Sequence, residues 1–276
     1  MNEGRNLKVC FIIGAPHSGS TLLGLILGSH NSAFFAGEAN KVSFFNDSNF
    51  EDERKFCRIC GKECKIWKKV NLNDANLYVQ LYELTKKSII IDSTKNLEWI
   101  SEQMKLADDS KLETCIIFLK RDVRAVMNSL LRKYPTQTIE KLIDRWNKQI
   151  TGTKELFNSF RGNKIEIFYE DLASNLNFTI ERLCKFLNVK YEPDMKDYYY
   201  KEHHSIGGNI GTHYLLLKAK NREEKWLLTE RNEYYYRDHP LSIKIDERWK
   251  KELDKRFEKI IEERTGSLFP EFTWNN

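Results

Sequence analysis

The stretch that most constrains how this chain can fold is residues 8–31, KVCFIIGAPHSGSTLLGLILGSHN. Its apolar run, Val9 to Ile13, has the length of a buried strand. Gly14-Ala15-Pro16-His17-Ser18-Gly19 breaks that run, and a largely apolar helix is expected from Ser20. Strand, small-residue loop and helix make an anion-binding device, because loop N–H groups and the positive end of the helix dipole converge on one point. The spacing Gly14-x4-Gly19-Ser20-Thr21 is that of a Walker phosphate loop with Ser20 in the lysine position. That lysine would reach the β- and γ-phosphates, so its loss argues against a nucleoside triphosphate. A 5′-phosphate carrying some other group fits better. The alternative is a glycine turn that merely packs a strand on a helix. Ser18, Ser20 and Thr21 favour the anion, since hydroxyls at a helix start serve as caps and as oxyanion donors.

Further apolar runs predict strands at 32–36, 88–92 and 114–119, and Lys164-Ile165-Glu166-Ile167-Phe168 reads as another strand. Helical spacing covers 75–87, 97–107, a segment ending at Lys133, 138–160 with a break near Gly152, 172–187 and 246–264. Alternating strands and helices predict an α/β, phosphate-loop-type three-layer fold, its mostly parallel central sheet flanked by helices. Ligands collect at the carboxyl ends of such strands, so the loops bearing Gly14, Gly37, Asp92 and Arg121 are expected around one crevice. Residues 40–72 read as a polar, cysteine-containing insertion. Residues 188–245 are irregular and rich in Tyr, His and Asn.

A length of 276 residues and a hydrophobic content of 41% suit a single α/β domain over 1–276 with a sizeable core. The net charge of +5 comes from 45 basic and 40 acidic residues mixed along the chain, so nucleic acid is not expected as a partner. No run approaches membrane-span length and residues 1–7 are polar, which predicts neither anchor nor signal peptide. Cys10, Cys115 and Cys184 fall on apolar segments and read as core thiols.

GAPHSGSTLLGLILGSHN resembles the 5′-phosphosulfate loop of sulfotransferases that use 3′-phosphoadenosine 5′-phosphosulfate (PAPS). It is similar in particular to the bacterial branch and to the Golgi tyrosylprotein and carbohydrate enzymes. The resemblance spans residues 8 to about 209 and returns near 242–264. It implies transfer of a sulfuryl group from PAPS to a hydroxyl, or in second place an amine, leaving adenosine 3′,5′-bisphosphate, with no metal required. The Golgi relatives carry a membrane anchor, and its absence here points to a cytoplasmic protein.

On this resemblance Gly14, Pro16, His17, Ser18, Gly19, Ser20 and Thr21 hold the phosphosulfate. His17 stands where most relatives have Arg or Lys, so it needs a raised pKa or help from another cation. Leu119 to Ser129 resembles the 3′-phosphate segment, in which Arg121 and Ser129 bind that group. Guanidinium forks suit phosphate oxygens, and a cation at a helix start opposes the dipole and so wants such a reason. Ser129 rests on the resemblance alone, because eight helical residues put it about 80° round and roughly 12 Å along from Arg121. Gly37-Glu38 matches the step whose glutamate is the base in the tyrosylprotein enzymes, and Lys95 resembles a strand-end lysine near the sulfate. His203-His204-Ser205-Ile206-Gly207-Gly208-Asn209 resembles a bacterial segment suited to closing over the nucleotide, giving Gly208 and Asn209 as further contacts. Asp171, in Tyr169-Glu170-Asp171-Leu172, reads as a helix cap.

Two alternatives to the enzyme are a small-molecule kinase on the same loop and a nucleotide-binding relative without turnover. Cys57-x2-Cys60-x3-Cys64 leaves three possibilities: Zn²⁺ with a fourth ligand from elsewhere, a disulfide, or packed thiols. Bacterial relatives carry a comparable cysteine-rich insertion, which implies a structural element near the acceptor entrance, and no metal is expected. The pair His203-His204 has no thiolate or carboxylate at ligand spacing. The acceptor itself is not named by any residue.

Overall fold

A computed structural model describes residues 6–50, 55–222 and 225–272. The polar residues 1–5, and parts of the 40–72 and 188–245 regions at 51–54 and 223–224, lie outside the described residues. All five expected strands form: β1 (Lys8–Ile13), β2 (Ala33–Gly37), β3 (Ile89–Asp92), β4 (Glu113–Lys120) and β5 (Asn163–Phe168). They make one parallel sheet in the order β2-β3-β1-β4-β5. Helices flank it, so β1 and β3 are buried at every residue and read as unbroken apolar runs. Cys10 of β1 faces Cys115 of β4 in register, both inside the core.

From β1 the chain turns to one side, toward β2, and from β4 to the other, toward β5. The switch point of the sheet therefore lies between β1 and β4, where open parallel sheets bind ligands. Residues 14–19 follow β1 and Arg121 follows β4. Helix α1 (Ser20–Leu27) packs Gly24 on β2, where a Cβ would sit 2.2 Å from the Phe35 ring. Helices α2 (Leu77–Thr85), α3 (Leu97–Asp109) and α4 (Val123–Lys133) follow as expected. Helix α5 (Ile139–Ser159) runs unbroken through Gly152. That glycine is a packing device, since a Cβ there would meet Leu97 at 2.7 Å.

Three boundaries differ from the sequence expectation. The helix expected over 172–187 is two, α6 (Tyr169–Ser174) and α7 (Leu176–Leu187), parted at a non-helical Asn175. Asp171 falls in the first turn of α6 and makes no capping bond, which suits the dipole but is not a cap. Glu170 braces a helix start instead, its carboxylate accepting the Asp122 N–H at 3.0 Å at the head of α4. The 188–245 region is more ordered than its composition implies. It holds a 3₁₀ stretch (Pro193–Tyr200), α8 (Ile210–Ala219) and α9 (Glu230–Tyr236). The closing helix is also two, α10 (Trp249–Glu252) and α11 (Lys255–Thr265), the second capped by Asp254. Among the described residues no helix is long and apolar enough to cross a membrane.

Candidate active site

The loops at the carboxyl ends of the strands surround a cavity of about 910 Å³. Pro16, His17, Gly19, Ser20, Thr21, Glu38, Lys95, Arg121, Ser129, Gly208 and Asn209 all line it. Eleven residues from separate parts of the chain are thus brought together as expected. Gly14 and Ser18 are not on the wall. Gly14, at φ +141°, turns the chain where a Cβ would stand 2.4 Å from the Leu119 carbonyl, so it shapes the loop from beneath. The Ser18 hydroxyl is buried and has no hydrogen-bond partner among the described residues.

The helix start after the loop is also arranged differently from a hydroxyl cap. The N-cap of α1 is Gly19 in the left-handed region, with no side-chain capping bond. Its missing side chain admits the Tyr169 ring, which a Cβ would approach to 2.6 Å. The Arg121 guanidinium stacks over the same ring at 4.2 Å, donates to the His17 carbonyl at 2.8 Å and pairs with Asp246 at 3.1 Å. Its Nε is buried without a partner among the described residues. Asp246 is shared with Arg248, at 2.7 and 2.8 Å. Burial works to raise the Asp246 carboxyl, but Arg248 and Arg121 outweigh it and hold it well below the usual carboxylate range.

His17 occupies a left-handed backbone position (φ +68°) and meets the Ser129 hydroxyl through Nδ1 at 2.7 Å. Burial, then the charges of Lys133, Arg231, Arg121 and Arg132, push its pKa down to about 3. At neutrality the imidazole is therefore uncharged, and the fixed cation must come from elsewhere.

Lys95 is one candidate. Its ammonium turns inward to the carbonyls of Ser93 at 2.6 Å and Ile12 at 3.1 Å, beneath the start of the loop. Burial lowers its pKa to about 8 against the opposing pull of Glu38 and Asp92. Glu38 follows β2 and is half-buried. The strip at 203–209 crosses here: Ile206 pairs with Gly37, where a Cβ would lie 2.0 Å from the Ile206 carbonyl, so only glycine fits. Asn209 then donates its N–H to the Thr21 hydroxyl at 2.9 Å and caps α8.

Sequence reasoning placed Asp92 at the crevice but missed its role, and it missed the charge of the far wall. Asp92 is a buried hub, accepting from the N–H groups of Ala39 and Thr94, the Thr94 and Tyr78 hydroxyls and the Trp99 indole at 2.6–3.2 Å. It fixes the turns that carry Glu38 and Lys95. A polar residue closing an all-apolar strand was its only signal. The cations of the far wall, Arg132, Lys133, Arg231 and Arg248, are the other omission. Cations lining the cavity outnumber the carboxylates Glu38, Glu230 and Asp246, so the space suits a polyanion.

Three thiols of the 40–72 insertion lie behind the 203–209 strip, and the fold brings them a histidine that their spacing did not. His204 Nδ1 is 3.3 Å from the sulfurs of both Cys60 and Cys64. The expectation that the histidine pair lacks nearby thiols is thereby corrected: the partners are some 140 residues away in sequence.

Residues 10–193 match the family described as "Sulfotransferase family". The chain belongs to the sulfotransferase family. A Caenorhabditis briggsae protein named "Putative protein-tyrosine sulfotransferase" is 24% identical over 210 residues, covering 74% of this sulfotransferase and 72% of that protein. Among solved structures, the sulfotransferase domain from the curacin biosynthetic pathway superposes with a TM-score of 0.57 at 18% identity, covering 94% of this chain and 98% of that one. A mouse sulfotransferase complexed with PAP superposes with a TM-score of 0.50 at 13% identity, covering 96% and 85%. These likenesses show the fold, a parallel sheet flanked by helices.

Proposed function

We propose that this sulfotransferase moves a sulfuryl group from PAPS to a hydroxyl acceptor, or in second place an amine, and releases adenosine 3′,5′-bisphosphate. One observation carries the proposal. The phosphate loop after β1 and the guanidinium after β4 meet at one cation-rich cavity, with Arg121 donating to the His17 carbonyl at 2.8 Å. A ribose with a phosphate on each end can engage both. The buried, unpartnered Ser18 hydroxyl and Arg121 Nε fit a ligand that brings its own acceptors. The family match and the PAP carried by the mouse relative support the same nucleotide.

In this scheme the loop from Gly14 to Thr21 receives the 5′-phosphosulfate, Arg121 and Ser129 hold the 3′-phosphate, and Gly208 and Asn209 cover the nucleotide. Glu38 takes the acceptor proton as the acceptor oxygen attacks sulfur. The bond from sulfur to the bridging oxygen breaks, and the charge left on the 5′-phosphate is met by loop N–H groups and Lys95. His17, being neutral, works as a hydrogen-bonding group beside Ser129. By analogy with phosphoryl transfer, most of the acceleration is positioning and electrostatics. The scheme needs no metal ion. We place residues 1–276 in one sulfotransferase unit and the protein in the cytoplasm.

Thermal unfolding with added nucleotide tests the proposal. Adenosine 3′,5′-bisphosphate at 100 times its Kd should stabilise by about 2.7 kcal/mol, and MgATP at equal concentration by less. A larger shift with MgATP would favour a kinase.

A further inference from the structure

The thiols of the 57–64 loop take no part in the nucleotide site, yet they are arranged with more care than packing requires. One ligand atom each from Cys57, Cys60, Cys64 and His204 lies within 4.8 Å of all the others. A tetrahedral Zn²⁺ with Zn–S near 2.3 Å and Zn–N near 2.0–2.1 Å would set such atoms roughly 3.4–3.8 Å apart. The two sulfur–Nδ1 separations of 3.3 Å already approach this.

The surrounding bonds point the same way. The N–H groups of Ile59 and Cys60 aim at the Cys57 sulfur at 3.5 and 3.4 Å, as they would at a thiolate. Gly61, at φ +68°, completes the tight turn and donates to the Cys57 carbonyl at 2.9 Å. His204 turns its other nitrogen to Glu202 at 3.1 Å. A carboxylate on the far nitrogen fixes a metal-binding tautomer with the Nδ1 lone pair toward the sulfurs. Trp67 donates its indole N–H to the His204 carbonyl and anchors that residue's backbone. Cys57 and Cys64 are buried whereas Cys60 is exposed, which leaves a route for an ion.

We propose that Cys57, Cys60, Cys64 and His204 form a Zn²⁺ site that clasps the 57–64 loop to the strip crossing Gly37. Three thiolates and an imidazole are a donor set suited to zinc, and four protein ligands close the shell, so the role is structural. The clasp bears on the active site through backbone. Arg58 donates its N–H to the Ser205 carbonyl at 3.0 Å, and Ile206 pairs with both Cys57 and Gly37.

Elemental analysis of the full chain, expressed with zinc and purified without chelator, tests the site independently of sulfuryl transfer. About one zinc per chain is expected, with all three thiols protected from a thiol reagent until a chelator is added. Cobalt exchanged into the same protein should give the intense visible absorption of a tetrahedral thiolate site. Glu202→Gln, on a largely exposed residue, should leave the fold intact and weaken metal affinity about 10–100-fold. His204→Ala should weaken it further. Protein that takes up no zinc, cobalt bound without tetrahedral absorption, or a disulfide among the three cysteines in the native chain would overturn the proposal.

Discussion

Arg121, at the end of β4, donates to the backbone carbonyl of His17 at 2.8 Å. This bond spans the switch point of the sheet and ties the loop after β1 to the end of β4, 104 residues away in sequence. Tyr169 fills the gap between them, one ring face under the guanidinium and the ring edge against Gly19. A ligand touching both elements therefore meets a prepared spacing rather than a flexible one.

Asp92 organises the side of the cavity that carries Glu38 and Lys95. Asp92→Ala leaves five hydrogen-bond donors in the interior without their acceptor. A cost of about 2–4 kcal/mol is expected, seen as a fall in Tm of roughly 4–10 °C. Sulfuryl transfer should fall more than bisphosphate affinity, because Glu38 and Lys95 lose their support. An unchanged Tm would show that Asp92 is not the hub.

Glu38→Gln keeps the size of the side chain and removes the proposed base. We expect kcat to drop by about 10²–10⁴ while adenosine 3′,5′-bisphosphate binds as in the wild type. Isothermal calorimetry and a turnover assay on the same preparation give both readouts. Retained turnover would move the base elsewhere.

Lys95 has its pKa lowered to about 8, so its positive charge is present below that pH and lost above it. If that charge is needed, kcat/KM for PAPS falls about tenfold per pH unit above roughly 8. Lys95→Met should be slow and show no such limb. His17, pushed down to about 3, stays neutral across this range and adds no step of its own. Bound phosphates should raise the imidazole pKa, and NMR titration of its ring protons with and without the bisphosphate measures the change.

Much of this architecture was legible in the sequence because β1 to β4 are short apolar runs cut off by Gly, Asp or Arg. Parallel strands buried on both faces leave that pattern. The loop after β1, Glu38, Lys95 and Arg121 follow from strand ends and from the family resemblance. What stayed hidden depends on tertiary contact. Helix α8 buries Gly211 and every residue from His213 to Leu217, so it shows no amphipathic stripe. Gly152 imitates a helix break but serves packing against Leu97. His204 joins Cys60 and Cys64 only because Ile206 pairs beside Gly37, and no local spacing encodes that.

Calorimetric binding of adenosine 3′,5′-bisphosphate beside adenosine 5′-monophosphate and adenosine 3′-monophosphate, to the wild type and to Arg121→Ala, examines the two-anchor site most directly. Loss of a charged hydrogen-bonding partner costs about 1.5–3 kcal/mol, so each monophosphate should bind at least about tenfold more weakly than the bisphosphate. Arg121→Ala should lower affinity for the bisphosphate and the 3′-monophosphate more than for the 5′-monophosphate, whose loop loses only the brace on the His17 carbonyl. Equal affinity of the wild type for all three nucleotides, or an Arg121→Ala variant that binds the bisphosphate as tightly as the wild type, would contradict it.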